Sequence, residues 1–206
     1  MVAANRLMPR RSPGIATRIS EIWMSTLLSL SRLIDQFNEL VGRGIRWLVL
    51  AAVLISAGNA IVRKIFSTSS NALLEIQWYL FAGVFMLGAG YAFYKNVHVR
   101  IDFISSKLSK RTNAVIDILG IVVFLLPLCI ILITLSWPFF HNAWVTGEMS
   151  SNAGGLIRWP VLALIPLGFS ILLMQAISEL IKRVAYLLGA IDEPITVEAH
   201  KSTEEL

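Results

Sequence analysis

The sequence predicts an all-α integral membrane protein: four transmembrane helices with tilted or kinked spans, preceded by an amphipathic interfacial helix. Three observations predict it. Apolar stretches at 45–65, 73–94, 114–137 and 159–181 interrupt an otherwise polar chain. At about 1.5 Å rise per residue, each is long enough to cross a hydrocarbon core of about 30 Å. Hydrophobic residues make up 56% of the 206 residues and charged ones only 15%, far from the balance of a soluble domain. Finally, Lys and Arg are divided unevenly among the connecting segments, as the positive-inside rule requires.

The N-terminal region, to the start of the first span, carries seven cations (Arg6, Arg10, Arg11, Arg18, Arg32, Arg43, Arg46), the second loop five (Lys95, Arg100, Lys107, Lys110, Arg111) and the C-terminal end three (Lys182, Arg183, Lys201). The first loop holds only Arg63 and Lys64, and the third only Arg158. Fifteen against three places both termini and the second loop in the cytoplasm. Trp47, Trp78, Trp137, Trp144 and Trp159 fall at or near span ends, where interfacial anchors belong. The net charge of +5 therefore reports topology and contact with anionic membrane lipids, and nucleic acid is not expected as a partner.

Taken in order, residues 1–14 read as a disordered N-terminal extension, because Pro9, Pro13 and Gly14 break any helix there. Arg10 and Arg11 are followed by no continuous apolar stretch before Ile45 and no small-residue cleavage site, so a retained segment is expected. Met24 is a second candidate start. From 15 to 44 the pattern turns helical. Ile15, Ile19, Ile22, Trp23, Leu27, Leu30, Ile34, Phe37 and Val41 recur at three- or four-residue steps, with Arg18, Glu21, Arg32, Asp35, Gln36, Glu39 and Arg43 largely opposite. Such a helix either lies in the cytoplasmic interface with its apolar face down or is a soluble helix packed on a partner.

The membrane domain runs from 45 to 188. In its first span Ala52, Ser56, Asn59 and Arg63 form a polar and small stripe that is costly facing lipid. On the second, Glu75, Tyr79, Gly83, Met86, Gly90 and Tyr94 share a face, a packing seam in which small residues let backbones approach closely. Asn59 and Arg63 are natural partners for Glu75 across the short outer turn; alternatively Arg63 and Glu75 simply face headgroups and water. Pro127 should bend the third span, and Asp117, a turn inside its cytoplasmic edge, could reach Lys110, Arg111 or Arg100. In the fourth span Pro160 occupies the tolerant first turn, Pro166 adds a kink, and Glu179 and Arg183 make an i,i+4 pair. Residues 189–206 form an acidic cytoplasmic tail.

Several chemistries are disfavoured. Haem ligation needs histidines inside the spans, whereas His98 and His141 lie beyond span ends and His200 is in the tail. Glu75, Asp117, Glu148 and Glu179 sit at or outside the membrane edges, which leaves little for an ion path at mid-membrane. No clustered metal ligands, phosphate-binding glycine loop or nucleophile with a base appears. Cys129, the single cysteine, reads as a small apolar filler. Neither an enzyme nor a cofactor is expected.

The stretch EIQWYLFAGVFMLGAGYAFYKNVHVRID, Glu75 to Asp102, resembles the small membrane subunit, the DctQ type, of tripartite ATP-independent periplasmic (TRAP) transporters. The likeness rests on the acid opening the second span, Trp78 after it, small residues from Gly83 to Gly90, and Lys95, Asn96, His98, Val99, Arg100 and Asp102 at the inner boundary. GEMSSNAGGLIRWP and the segment from Pro166 to Leu188 also resemble it, giving a likeness over roughly 33–188. The resemblance implies a multi-pass protein of the bacterial cytoplasmic membrane. Its implied partners are a large multi-span membrane subunit and an extracytoplasmic substrate-binding protein, in sodium-coupled uptake of a small organic acid, with this chain as a scaffold. A self-sufficient four-helix carrier acting as a homodimer, or a membrane redox subunit, are the rival readings.

Candidate residues are partner or packing contacts. Glu75, Trp78, Trp144, Glu148, Ser150, Asn152 and Arg158 lie on the outer side, either as contacts or as a solvated loop with interfacial aromatics. Gly83 and Gly90 belong to the packing seam. Lys95, His98, Arg100 and Asp102 either hold the second loop, through pairing of Arg100 with Asp102 or Asp117, or serve as ordinary cationic anchors.

Overall fold

The computed structural model describes residues 15–67, 70–96 and 108–192, with side chains described from Ile22 onward. Among the described residues the regular structure is four helices: α1 (Ile15–Phe66), α2 (Asn71–Tyr94), α3 (Lys110–Thr146) and α4 (Trp159–Leu187). Each contains a window long and apolar enough to cross a membrane. The expected tail from 193 on, the extension at 1–14, and His98, Arg100 and Asp102 lie outside the described residues.

The separate helix expected at 15–44 is instead continuous with the first span, giving α1 its 52 residues. Nothing at the expected boundary stops it: Gly42, Arg43 and Gly44 all lie within the helix, and a glycine there costs only about 1 kcal/mol against alanine. Gly42 has a use, because a Cβ at this position would enter the Tyr91 ring of α2.

The third span also runs past its expected end at 137, with Pro138 inside the helix. A ladder of rings holds its last turns: Trp137 meets Phe140 at 5.5 Å between centroids, Phe140 meets Trp144 at 6.2 Å, and Trp144 meets Trp159 of α4 at 4.5 Å. Gly147 then ends α3 in the left-handed conformation, φ 63°, which glycine adopts without steric cost. Upstream, Pro127 lacks the N–H that would close onto Val123, and its ring crowds that carbonyl. The helix accommodates it by widening into a π turn over Ile121–Leu125, closed by Leu126 N–H to the Ile121 carbonyl.

The centre of the bundle is α4, which packs against α1, α2 and α3, whereas α3 packs chiefly on α4. Accordingly α4 carries more buried positions than any other helix, Ala163, Pro166, Gly168, Ile171, Gln175 and Ala176 among them. Glycines set the close approaches. A Cβ on Gly168 would lie 2.6 Å from the Met86 carbonyl of α2, and one on Gly90 would lie 2.5 Å from Asn38 Oδ1 and 2.8 Å from Ile171 Cγ2. Gly83 is looser, its nearest neighbour being a Leu48 methyl at 3.5 Å. Away from these seams, Val115, Leu119, Val123, Phe124 and Leu135 of α3 and Trp47, Leu54 and Ile61 of α1 are exposed, as suits helices bordered by lipid or by other spans.

Alternating spans leave the bundle with a terminal end, where α1 begins and α4 finishes, and a loop end, where the 147–158 connection lies.

Candidate functional site: two polar clusters at opposite ends of the bundle

At the terminal end, α4 turns polar where an apolar helix would ordinarily continue. Gln175, Ser178, Glu179, Lys182 and Arg183 are all buried, and each finds its partner inside this chain. Lys182 Nζ lies 2.7 Å from both Asp35 Oδ2 of α1 and Glu179 Oε1, and 5.5 Å from the centre of the Tyr94 ring of α2. Arg183 donates from Nη1 to Glu179 and from Nε to Asp117 Oδ2 of α3 at 3.0 Å. Three carboxylates thus face two cations, and neutral donors cover the excess acceptor. Gln175 Nε2 and Ser178 Oγ each donate to Asp35 Oδ1 at 2.9 Å. Ser31 and Ser178 share a 2.7 Å hydrogen bond, and Asn38 Nδ2 donates to Gln175 Oε1 at 2.8 Å.

This cluster ties all four helices. Beside it, Lys95, just past α2, pairs with Glu39 of α1 at 2.8 Å and lies 4.8 Å from the Tyr94 ring centre. The hydrogen bond to the Glu39 carboxylate holds the Lys95 ammonium above the ordinary lysine range. Along the contact, two turns of α1 from Ser31 to Asn38 match less than one turn of α4 from Ser178 to Gln175. The N-terminal half of α1 therefore crosses α4 obliquely. It does so on a polar seam, leaving Ile22, Trp23, Leu30, Leu33, Phe37 and Leu40 exposed.

At the loop end, residues 147–158 form a hairpin pinned by the isolated Met149–Ile157 bridge. Ser150 N–H bonds the Leu156 carbonyl, and Arg158 N–H the Glu148 carbonyl, both at 2.9 Å. Glu148 and Arg158 also pair through their side chains, largely in the open. The hairpin is strapped to one stripe of α2. Asn71 Nδ2 donates to the Ala153 carbonyl at 2.9 Å, and Tyr79 donates its hydroxyl to the Ile157 carbonyl at 3.0 Å. Between them the Glu75 carboxylate accepts from Ser150 Oγ, from Asn152 Nδ2 at 2.7 Å and from Leu156 N–H at 2.7 Å.

The geometry corrects several sequence expectations. Glu75 is held by the third loop, and neither Asn59 nor Arg63 is among its partners; Asn59 is buried and Arg63 exposed on α1. Asp117 meets Arg183 of α4, a partner the local charge pattern did not offer. Glu179 is buried in the inter-helix cluster, paired with Lys182 as well as with the expected Arg183. Trp78 is exposed, Gly90 is in the α1–α2–α4 seam, and Glu148 and Arg158 face each other. Sequence reasoning passed over Ser31, Asn38, Gln175 and Ser178, and counted Lys182 only as a cation that reports topology. Their signal was there: polar residues at helical spacing on the fourth apolar span, opposite polar positions of the N-terminal helix.

Charge here is spent on joining helices and seating a loop, and among the described residues no group of His, Cys, Asp and Glu gathers as metal ligands. The class defined is a multi-pass, all-helical membrane protein whose polar groups hold its own spans together. A family model described as "Tripartite ATP-independent periplasmic transporters, DctQ component" matches residues 52–185, and the chain belongs to that family. It is thus a small permease subunit of a TRAP transporter, a family whose members work with a large membrane subunit and a binding protein and do not act as enzymes. No curated protein and no solved structure matched the chain. The match includes α2, α3 and nearly all of α4, but begins at Ala52. Ser31, Asp35 and Asn38, the α1 side of the buried cluster, therefore lie outside it.

Proposed function

We propose that this chain is the stationary frame of its transporter: it braces the large subunit while that subunit moves a small organic acid, delivered by the binding protein, with sodium. The observation that carries this reading is the closed polar interior at the terminal end. Glu179, Lys182 and Arg183, the buried ionisable groups of α4, are each neutralised by partners in this same chain. Groups so committed cannot bind and release a solute without breaking the bundle, since an unpaired charge there costs several kcal/mol. The exposed apolar faces of α1 and α3 give the frame its surface for lipid and for neighbouring spans. Holding one body still makes relative displacement of the other productive.

Within this reading the terminal end is cytoplasmic, as the Lys and Arg distribution implies, and the loop end faces the periplasm. The oblique half of α1 lies along the inner interface, its apolar face in lipid and Arg32, Gln36 and Arg43 toward water. The deciding experiment is reconstitution. Liposomes holding this chain alone should not accumulate organic anion under an inward sodium gradient, whereas liposomes holding both membrane subunits and supplied with binding protein should. Accumulation by the chain alone would sink the frame and favour a homodimeric carrier.

A further inference from the structure

The hairpin at the loop end is built differently from an ordinary connection. Asn71, Glu75 and Tyr79 stand at four-residue steps on the first three turns of α2, and all three bond the hairpin. Between its Glu148 and Ile157 ends, the hairpin's tip is organised around the two oxygens of Glu75. Gly155 shows how close the fit is: a Cβ there would lie 2.6 Å from Ser150 Cβ and 2.9 Å from Glu75 Oε1. The tip itself, residues 151–154, is exposed and carries no charge. Trp78, Trp144 and Trp159, of a residue type that favours the membrane–water interface, lie on the adjoining turns of α2, α3 and α4, which on the frame reading puts the tip on the aqueous side. A small polar turn outside that boundary meets water or a soluble surface, not lipid or a spanning helix.

We propose that Glu75 is a positioning residue for delivery: by seating the hairpin on α2 it presents residues 151–154 to the extracytoplasmic binding protein. This rests on the frame reading above, which puts the loop end on the periplasmic side. Glu75 itself does not touch the partner, because its oxygens are already taken up by Ser150, Asn152 and Leu156. The carboxylate adds to the hairpin's own backbone bonds, Ser150 to Leu156, Gly155 to Asn152 and Arg158 to Glu148, a strap that fixes the tip against α2. Without it, Asn71 and Tyr79 alone would tie the hairpin to α2, the tip would be less closely fixed, and docking would bear the cost of ordering it.

The test uses the complete membrane complex in proteoliposomes, with uptake measured as purified binding protein is titrated. Glu75→Ala should raise the binding-protein concentration at half-maximal uptake about tenfold, with the saturating rate within about twofold of the parent. Ser151→Arg, on an exposed side chain that the strap does not use, should raise the same concentration while leaving Glu75 seated. An unchanged half-saturation in either variant, or a fall confined to the saturating rate, overturns the proposal. Should Glu75→Ala fail to assemble, Ser151→Arg alone decides by the same criterion. Failure of the frame reading shows elsewhere, as uptake by this chain alone or as Ser151→Cys that an impermeant maleimide cannot reach from the periplasmic side.

Discussion

The two ends of this bundle solve the same problem, how to hold a polar group beside a membrane, in opposite ways. At the loop end one carboxylate, Glu75, gathers neutral donors from a hairpin, and the neighbouring Glu148–Arg158 pair stays largely open to solvent. At the terminal end three carboxylates, Asp35, Asp117 and Glu179, meet two cations, Lys182 and Arg183, across three helices, and all but Asp117 are 15% exposed or less. Water explains the difference. A loop group that loses a protein partner regains a water, so neutral donors suffice and an exposed ion pair contributes little. Between helices no water replaces the lost partner, so every charge needs a counter-charge or an aimed donor.

The largest effect should come from Lys182→Met, which leaves the carboxylates of Asp35 and Glu179 facing each other. A loss of about 3–5 kcal/mol is expected, read as a lowered unfolding midpoint in mild detergent. Adding Asp35→Asn should recover part of that loss, because the second change removes the uncompensated charge. Simple additivity would mean that the cluster is not one unit.

Next come the seams that bring the ends into register. Gly168→Ala places a methyl against the Met86 backbone carbonyl, which cannot rotate away, and should cost about 1–3 kcal/mol. Gly58→Ala, where nothing lies within 4 Å, should be neutral or stabilise by up to about 1 kcal/mol through helix propensity. Equal thermal shifts for the two would show that the glycines act by flexibility and not by close approach.

The smallest effect belongs to the open pair. Arg158→Ala should change stability by no more than about 1 kcal/mol, since its side chains are 47% and 36% exposed. A loss as large as that of Lys182→Met would break the contrast between the two ends.

Much of the architecture was legible in the residues. The four spans followed from apolar length, and the α2 seam of Gly83 and Gly90 from small residues at helical spacing. Glu179 with Arg183 was visible because both lie on one helix, four residues apart. The partners that cross helices were not. Asp117 was offered the cations nearest in sequence, yet Arg183, 66 residues away, also packs beside it. Glu75 was offered the adjacent turn, yet its donors arrive from a hairpin more than 70 residues on. Charge patterning ranks partners by proximity along the chain, whereas helix packing ranks them by face and height. The running-on of α1 through 42–44 and of α3 through Pro138 escaped for a related reason. Glycine and proline signal helix ends only where nothing packs to hold the helix together.

By itself the sequence determined that the chain is helical, that it crosses the membrane four times and that its polar groups must be rationed, because bilayer thickness and the cost of an unpaired backbone group leave no other solution. Only the tertiary structure decided that α4 is the hub, that α1 is one oblique helix latched by Asp35 and Lys182, and that Glu75 seats a loop. Leu, Ile and Phe suit lipid and protein equally well. Which faces meet is therefore set by a few glycines and polar side chains whose partners lie far along the chain.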